Sequence, residues 1–131
     1  MSRSESYLFN VAAFYSKWER DLADSQRDNG SIPVVSPNYW PFYYDDLTWP
    51  STFLFVPGML YDQYGDRRVL ERTYPAMKRW MDLERTYVQD GLTSKDKYAD
   101  WCVPPEDPKL IHSEDPARVT ATVTSFWDAT S

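Results

Sequence analysis

The residues of this chain best suited to chemistry crowd into two irregular stretches. One is "PNYWPFYYDDLTW", residues 37–49, which sets Asp45 and Asp46 among Tyr39, Trp40, Phe42 and Trp49. The other is "YADWCVPPEDPKLIH", residues 98–112, which holds Asp100, Trp101, Cys102, Glu106, Asp107 and His112. Aromatic side chains in rigid loops offer a large contact area at low entropic cost. Sugars are held by aromatic faces against their C–H patches and by carboxylates against their hydroxyls, and glycoside cleavage calls for two carboxylates flanking the bond. The competing reading is structural: the aromatics pack the loop, and each acid is a solvated charge or a helix cap. The shared location of acids and aromatics favours a binding surface.

Other chemistries find less support. Cys102 and His112 are the single Cys and single His of the chain. Zinc takes three or four ligands at recognisable spacings, so a structural thiol and a loop histidine fit better. Residue types alone leave a Cys–His nucleophilic pair open. Independent chemistry from Asp100, Glu106 and His112 lacks a shaped pocket that would perturb their pKa values. With only four glycines and no glycine-rich phosphate signature, nucleotide binding has no footing. No metal or cofactor is expected.

At 131 residues the chain is the size of one ordinary domain, and its net charge of −6 argues against nucleic acid or an anionic membrane as partner. No apolar run is long enough to span a bilayer. The start, "MSRSESYLFN", lacks the marks of a secretory signal, and one cysteine cannot form an internal disulfide, so localisation stays unassigned.

Three apolar patterns must position the two loops. Residues 6–27 place Leu8, Val11, Tyr15, Trp18 and Leu22 on one face of an amphipathic helix, with "DNG" at 28–30 ending it. Residues 50–64 begin at Pro50 and are apolar almost all round through Phe53, Leu54, Phe55, Val56, Met59 and Leu60, so this helix is expected to be buried on every side. Pro57-Gly58 should kink it, and Gly65 stops it. Residues 66–90 form a second two-faced helix, capped by Asp66, split at Pro75, striped by Leu70, Tyr74, Met77, Trp80, Met81 and Val88, and closed by Gly91. Residues 28–49 and 91–131 read as loops, with a weakly strand-like run at 118–126 that has no convincing partner. The expected class is all-α, one partial domain over 1–131, with an apolar inner helix between two-faced outer ones. Such an inner helix needs cover, from self-association or from further hairpins.

Three segments in register, "FNVAAFYSKWERDLADSQRDNGSIPVVSPNYW", "TWPSTFLFVPGMLYDQYGDRRVLERTYPAMKRWMD" and "YADWCVPPEDPKLIHSEDPAR", resemble the catalytic domain of bacterial α-L-rhamnosidases, glycoside hydrolase family 78. The resemblance runs through about residues 7 to 118. It implies a partial (α/α)6 barrel of about one and a half hairpins, and a parent that removes terminal α-L-rhamnose from glycans by inversion. It also implies a sugar site: Trp49 and Trp101 as walls for the ring, and Asp100 as a hydroxyl acceptor or loop brace. Asp46 joins them as a substrate-binding candidate through its place in the loop. Ala99 departs from the family's usual glycine. The family's general acid motif would fall before Met1 and its general base after Ser131, so no catalytic residue is expected in this chain. The expectation is a fragment or truncated relative of a rhamnosidase, inactive alone. The alternative is a non-catalytic helical module that binds carbohydrate or associates with itself.

Overall fold

The computed structural model describes residues 2–93 and 95. Among them the chain forms four helices, α1 (Ser2–Leu8), α2 (Ala12–Asp24), α3 (Thr52–Tyr64) and α4 (Arg67–Arg85), and one antiparallel hairpin, β1 (Val88–Gln89) with β2 (Leu92–Thr93). The class is helical, with this hairpin as its only strand pairing among the described residues.

The single helix expected over 6–27 is two. The chain breaks at Phe9–Val11, and the α3 residue Tyr64 occupies the break: its hydroxyl accepts from the Val11 N–H at 3.2 Å and lies 3.3 Å from the Phe9 carbonyl. Asn10 adds a side-chain acceptor 3.4 Å from the Ala12 N–H. Backbone groups freed by the break thus find partners, and that makes an interruption tolerable. Leu8, expected on the core stripe, is left exposed beyond the break.

Helix α3 runs through Pro57 to Tyr64 and stops at Gly65, whose φ of 67° suits a residue without Cβ. Asp66 then caps α4, accepting from the Arg68 N–H at 3.1 Å. The two-residue link turns the chain back, so α3 and α4 pack along each other while α2 packs against both. Pro75 does not split α4: the helix is continuous, and Pro75 sits on its exposed side.

The core lies in two patches bridged by Trp18. One gathers Leu22, Ile32, Leu47, Phe53, Met77 and Trp80, the other Tyr15, Val56, Met59, Leu60 and Val69. The buried face of α4 is Val69, Thr73, Ala76, Met77, Trp80 and Glu84, rotated from the stripe expected by hydrophobicity; Tyr74 is exposed, and Leu70 and Met81 are half-buried. Helix α3 is not covered all round either: Phe55 and Tyr61 are about half exposed, at 47% and 51%.

The long loop between α2 and α3 is fastened to α4. Gly30 (φ 97°) approaches so closely that a Cβ there would stand 2.6 Å from the Arg79 carbonyl oxygen. The Gln26 amide donates to the carbonyls of Gly30 and Ala76, both at 2.9 Å, tying loop and helix together. Gly30 therefore serves this contact, and α2 ends earlier, at Asp24. Likewise Gly91 (φ 81°) follows Asp90 (φ 52°) as the two-residue turn of the β1–β2 hairpin, beyond the end of α4 at Arg85.

Glu19 faces the core of α2 with no exposure, and its pKa is pushed up to about 9 by burial, with the Arg72 charge pulling the other way. An acid with a raised folded pKa must take up a proton on folding. Its cost is therefore absent below the unfolded value of 4.5 and grows as pH rises towards about 9. Replacing Glu19 with Leu is expected to stabilise the chain by about 2–4 kcal/mol near pH 8, and by much less near pH 5. Urea unfolding at the two pH values checks this; a gain independent of pH would contradict it.

Candidate functional site

Residues 45–49 form the hinge between the long loop and α3. Asp46 is fully buried, and its Oδ2 accepts from the backbone N–H of Trp49 at 3.0 Å, three residues on. This is the geometry of an N-terminal cap for the turn that leads into α3. The backbone of Trp49 is thereby fixed while its indole stands 54% exposed. A half-exposed indole on a fixed backbone presents a stacking face for a ligand rich in C–H groups.

Asp45 braces the same hinge from the other side. Its backbone is left-handed, with φ 49°, and its carboxylate accepts from the Ser31 hydroxyl, from the Tyr87 hydroxyl at 3.1 Å and from Lys95 Nζ at 2.6 Å. Burial works to raise the Asp45 pKa, but the bonds from Lys95 and Ser31 outweigh it and hold the carboxyl below its usual range. The Lys95 ammonium also lies 4.4 Å from the centre of the Tyr87 ring. The loop, the turn after α4 and the segment just past the hairpin meet at this one carboxylate.

Beneath the hinge lies Glu84, on the core face of α4 and only 1% exposed. Its pKa is pushed up to about 8, first by burial and then by the negative charges of Asp45 and Asp46; Trp80 and Lys95 favour its ionised form. Asp46 and Glu84 are both turned into the protein. What Asp46 contributes to a ligand passes through Trp49.

Further along the loop, Tyr39 and Trp40 are exposed at 85% and 61%, their rings edge to face. The loop behind them is well tied: Val34 N–H to the Phe42 carbonyl at 2.9 Å, the Trp18 indole to the Ser36 carbonyl at 3.2 Å, and the Tyr43 hydroxyl to the Ser25 carbonyl at 2.7 Å.

Of the four sugar-site candidates, Trp49 and Asp46 thus meet at one hinge. Asp100 and Trp101 lie outside the described residues, as do Cys102, Glu106, Asp107, His112 and the strand-like run at 118–126. Among the described residues no group of three or more His, Cys, Asp or Glu is placed to hold a metal, and no helix is long and apolar enough to cross a membrane.

A family model described as the bacterial alpha-L-rhamnosidase 6 hairpin glycosidase domain matches residues 1–129. The chain belongs to this family. Among its relatives are alpha-L-rhamnosidases of Formosa agariphila, 31% identical over 99 residues, and of Streptomyces avermitilis, 32% identical over 125. These alignments take in 74% and 89% of this chain but only 11% and 12% of the relatives. A solved structure of alpha-L-rhamnosidase from Dictyoglumus thermophilum superposes with a TM-score of 0.80 at 29% identity, over 97% of this chain and 14% of that one. The family supplies the frame for the helices: a six-hairpin barrel, of which α3 and its flanking helices are a part. The chain spans about an eighth of the length of these relatives.

Sequence reasoning reached Trp49 and Asp46 but missed Glu84, Ser31, Tyr87 and Lys95. Glu84 was within reach, since it continues the 69-73-76-80 spacing of the core face, where an acid is conspicuous. The other three are brought in by tertiary contacts that no local pattern records.

Replacing Asp46 with Ala removes the cap on Trp49 and is expected to cost about 1–2 kcal/mol. Asp46→Asn keeps an acceptor and should cost less. Urea unfolding of the two variants beside the parent measures both, and equal losses would exclude the cap as the cause.

Proposed function

We propose that the chain carries one wall of a rhamnose-binding pocket of the α-L-rhamnosidase type, with Trp49 against the sugar ring and Asp46 holding Trp49 in place. The observation that supports this most is the pairing at the hinge: a half-exposed indole at the head of α3 whose backbone is tied to a fully buried carboxylate. A backbone held this way leaves only the side chain to be ordered when ligand arrives. Trp101 and Asp100 complete the wall in this reading, on the strength of the family resemblance. The ligand is a terminal α-L-rhamnosyl group of a glycan or glycoside.

The reading includes no hydrolysis by the 131-residue chain alone. Cleavage needs two carboxylates flanking the bond. The acids at the hinge are engaged otherwise: Asp46 caps Trp49, Asp45 binds Lys95, and Glu84 is buried. The pure chain should release no nitrophenol from nitrophenyl α-L-rhamnoside above the rate in buffer. Robust turnover would overturn this part. Rhamnose titration should change tryptophan fluorescence, and Trp49→Ala should abolish the change.

A second reading, a self-associating module without catalysis, draws on the uncovered aromatics of the helices. Phe14, Phe55, Tyr61 and Tyr74 are each about half exposed or more. Light scattering after size exclusion should then give a dimer or larger species, whereas a strict monomer argues against this reading.

A further inference from the structure

A second cleft lies at the far end of α4 from the hinge. Ser16 and Arg20 of α2 line one side of it, and Arg68 and Arg72 of α4, with the capping residue Asp66, line the other. Its volume is about 430 Å³, within the range of small-molecule sites. The hinge meets the opposite end of the helix, through the bond from Tyr87, just past Arg85, to Asp45. At 1.5 Å of rise per residue, about 20 Å of helix separates Arg72 from that end. The cleft is therefore no part of the sugar wall.

Its residue types run against the rest of the chain. The net charge is −6, yet three guanidiniums and one carboxylate line this cleft, a surplus of two positive charges. The helical repeat sets the arrangement: Arg20 stands one turn from Ser16 on α2, and Arg72 one turn from Arg68 on α4. Two like charges at that spacing repel each other. Two sets of contacts place the side chains of α4. Asp66 accepts from Nε and Nη2 of Arg68 at 3.0 and 3.2 Å, and Nη2 of Arg72 reaches across to the Ser16 carbonyl of α2 at 3.5 Å. Ala12 and Ala13 complete the α2 side with little bulk. Glu19, on which the Arg72 charge acts, keeps its proton at neutral pH and so adds no negative charge.

We infer that this cleft is a binding site for a phosphate group, held by Arg20, Arg68 and Arg72 between the first turns of α2 and α4. Guanidiniums match such a group with paired N–H donors. A phosphate carries about 1.5 to 2 negative charges at neutral pH, which meets the surplus of the cleft, whereas a single carboxylate would leave part of it unmet. The Arg68 side chain is 86% exposed, so the cleft is open to solvent. A phosphate monoester can therefore enter it as well as the free ion.

The test is a 1H–15N NMR titration of the full chain with inorganic phosphate at neutral pH, with chloride withdrawn to hold ionic strength constant. Phosphate should shift the amide resonances of residues 12–20 and 68–72 along saturating curves and leave those of the hinge, 45–49, in place. Arg20→Gln and Arg72→Gln should each raise the half-saturating concentration about tenfold, the weight of one charge-assisted hydrogen bond. Asp66→Asn keeps a capping side chain and removes the carboxylate from the lining, so it should lower that concentration. Weaker binding in Asp66→Asn would mean that a loosened helix end, not charge, governs the response, and would overturn the inference. Shifts that never saturate, or that sodium chloride reproduces, are ordinary screening and overturn it too. So does a flat response, the result expected if an acid of this chain already occupies the arginines, or saturation indifferent to both arginine substitutions. Phenyl phosphate titrated in parallel separates the two sources. Half-saturation matching that of inorganic phosphate supports a group carried on a larger molecule, and a response to inorganic phosphate alone supports the free ion.

Discussion

Gly30 rests on the backbone of α4, at a distance no other residue type would permit. From that contact the rest of the loop takes its course. A segment of some twenty residues without helix or strand must find partners for its own polar groups while it covers apolar surface. Here Gln26 bridges Gly30 to Ala76, and the loop then delivers Ile32 and Leu47 into the core beside Trp80. The loop is therefore a structural layer rather than a connection. Its second end, at Asp45 and Asp46, arrives in register with the top of α3 because its first end is fixed.

The same packing explains why the protein keeps acids inside. Glu19 and Glu84 lie on the core faces of α2 and α4, where burial favours their neutral forms. Their surroundings differ. Glu19 has the Arg72 charge as a partial counterweight, whereas Glu84 faces two further carboxylates with Lys95 opposing them. A buried acid costs stability unless it is kept neutral or compensated. The two sites thus represent two degrees of the same electrostatic problem, one set between helices and one beside a candidate binding surface.

These buried acids also mark the limit of what was legible beforehand. The punctuation of α3 and α4 could be read directly, since Gly65 and Asp66 announce a stop and a cap through their residue types. The nearly uninterrupted apolar character of α3 marked it as a packing helix but overstated its cover, since Phe55 and Tyr61 stay about half exposed among the described residues. The phase of the outer helices was harder. Hydrophobic counting ignored Glu19, Thr73 and Glu84, although all three are on the buried faces, and so it rotated the stripe of α4 towards Leu70 and Tyr74. The break at Phe9–Val11 was illegible for a different reason: its backbone groups are met by Tyr64, more than fifty residues away. At the hinge, Trp49 and Asp46 stood out by type and proximity, whereas Ser31, Tyr87 and Lys95 reach Asp45 only through the folded chain.

The hairpin after α4 has a bearing on how such a domain could diversify. Its two strands pair Val88 with Thr93 and Gln89 with Leu92, around a two-residue turn at Asp90-Gly91. Strand pairing counts residues in steps of two, so one residue gained or lost in that turn would present the opposite side of β2 to the protein. Lys95, two residues past the last pair, would swing away from Asp45 with it. The hairpin thus behaves as a gauge of chain length: insertions of odd size disconnect the loop from the ammonium that neutralises it. Drift in length should therefore be tolerated on the far side of Gly30 and Lys95 before it is tolerated between them.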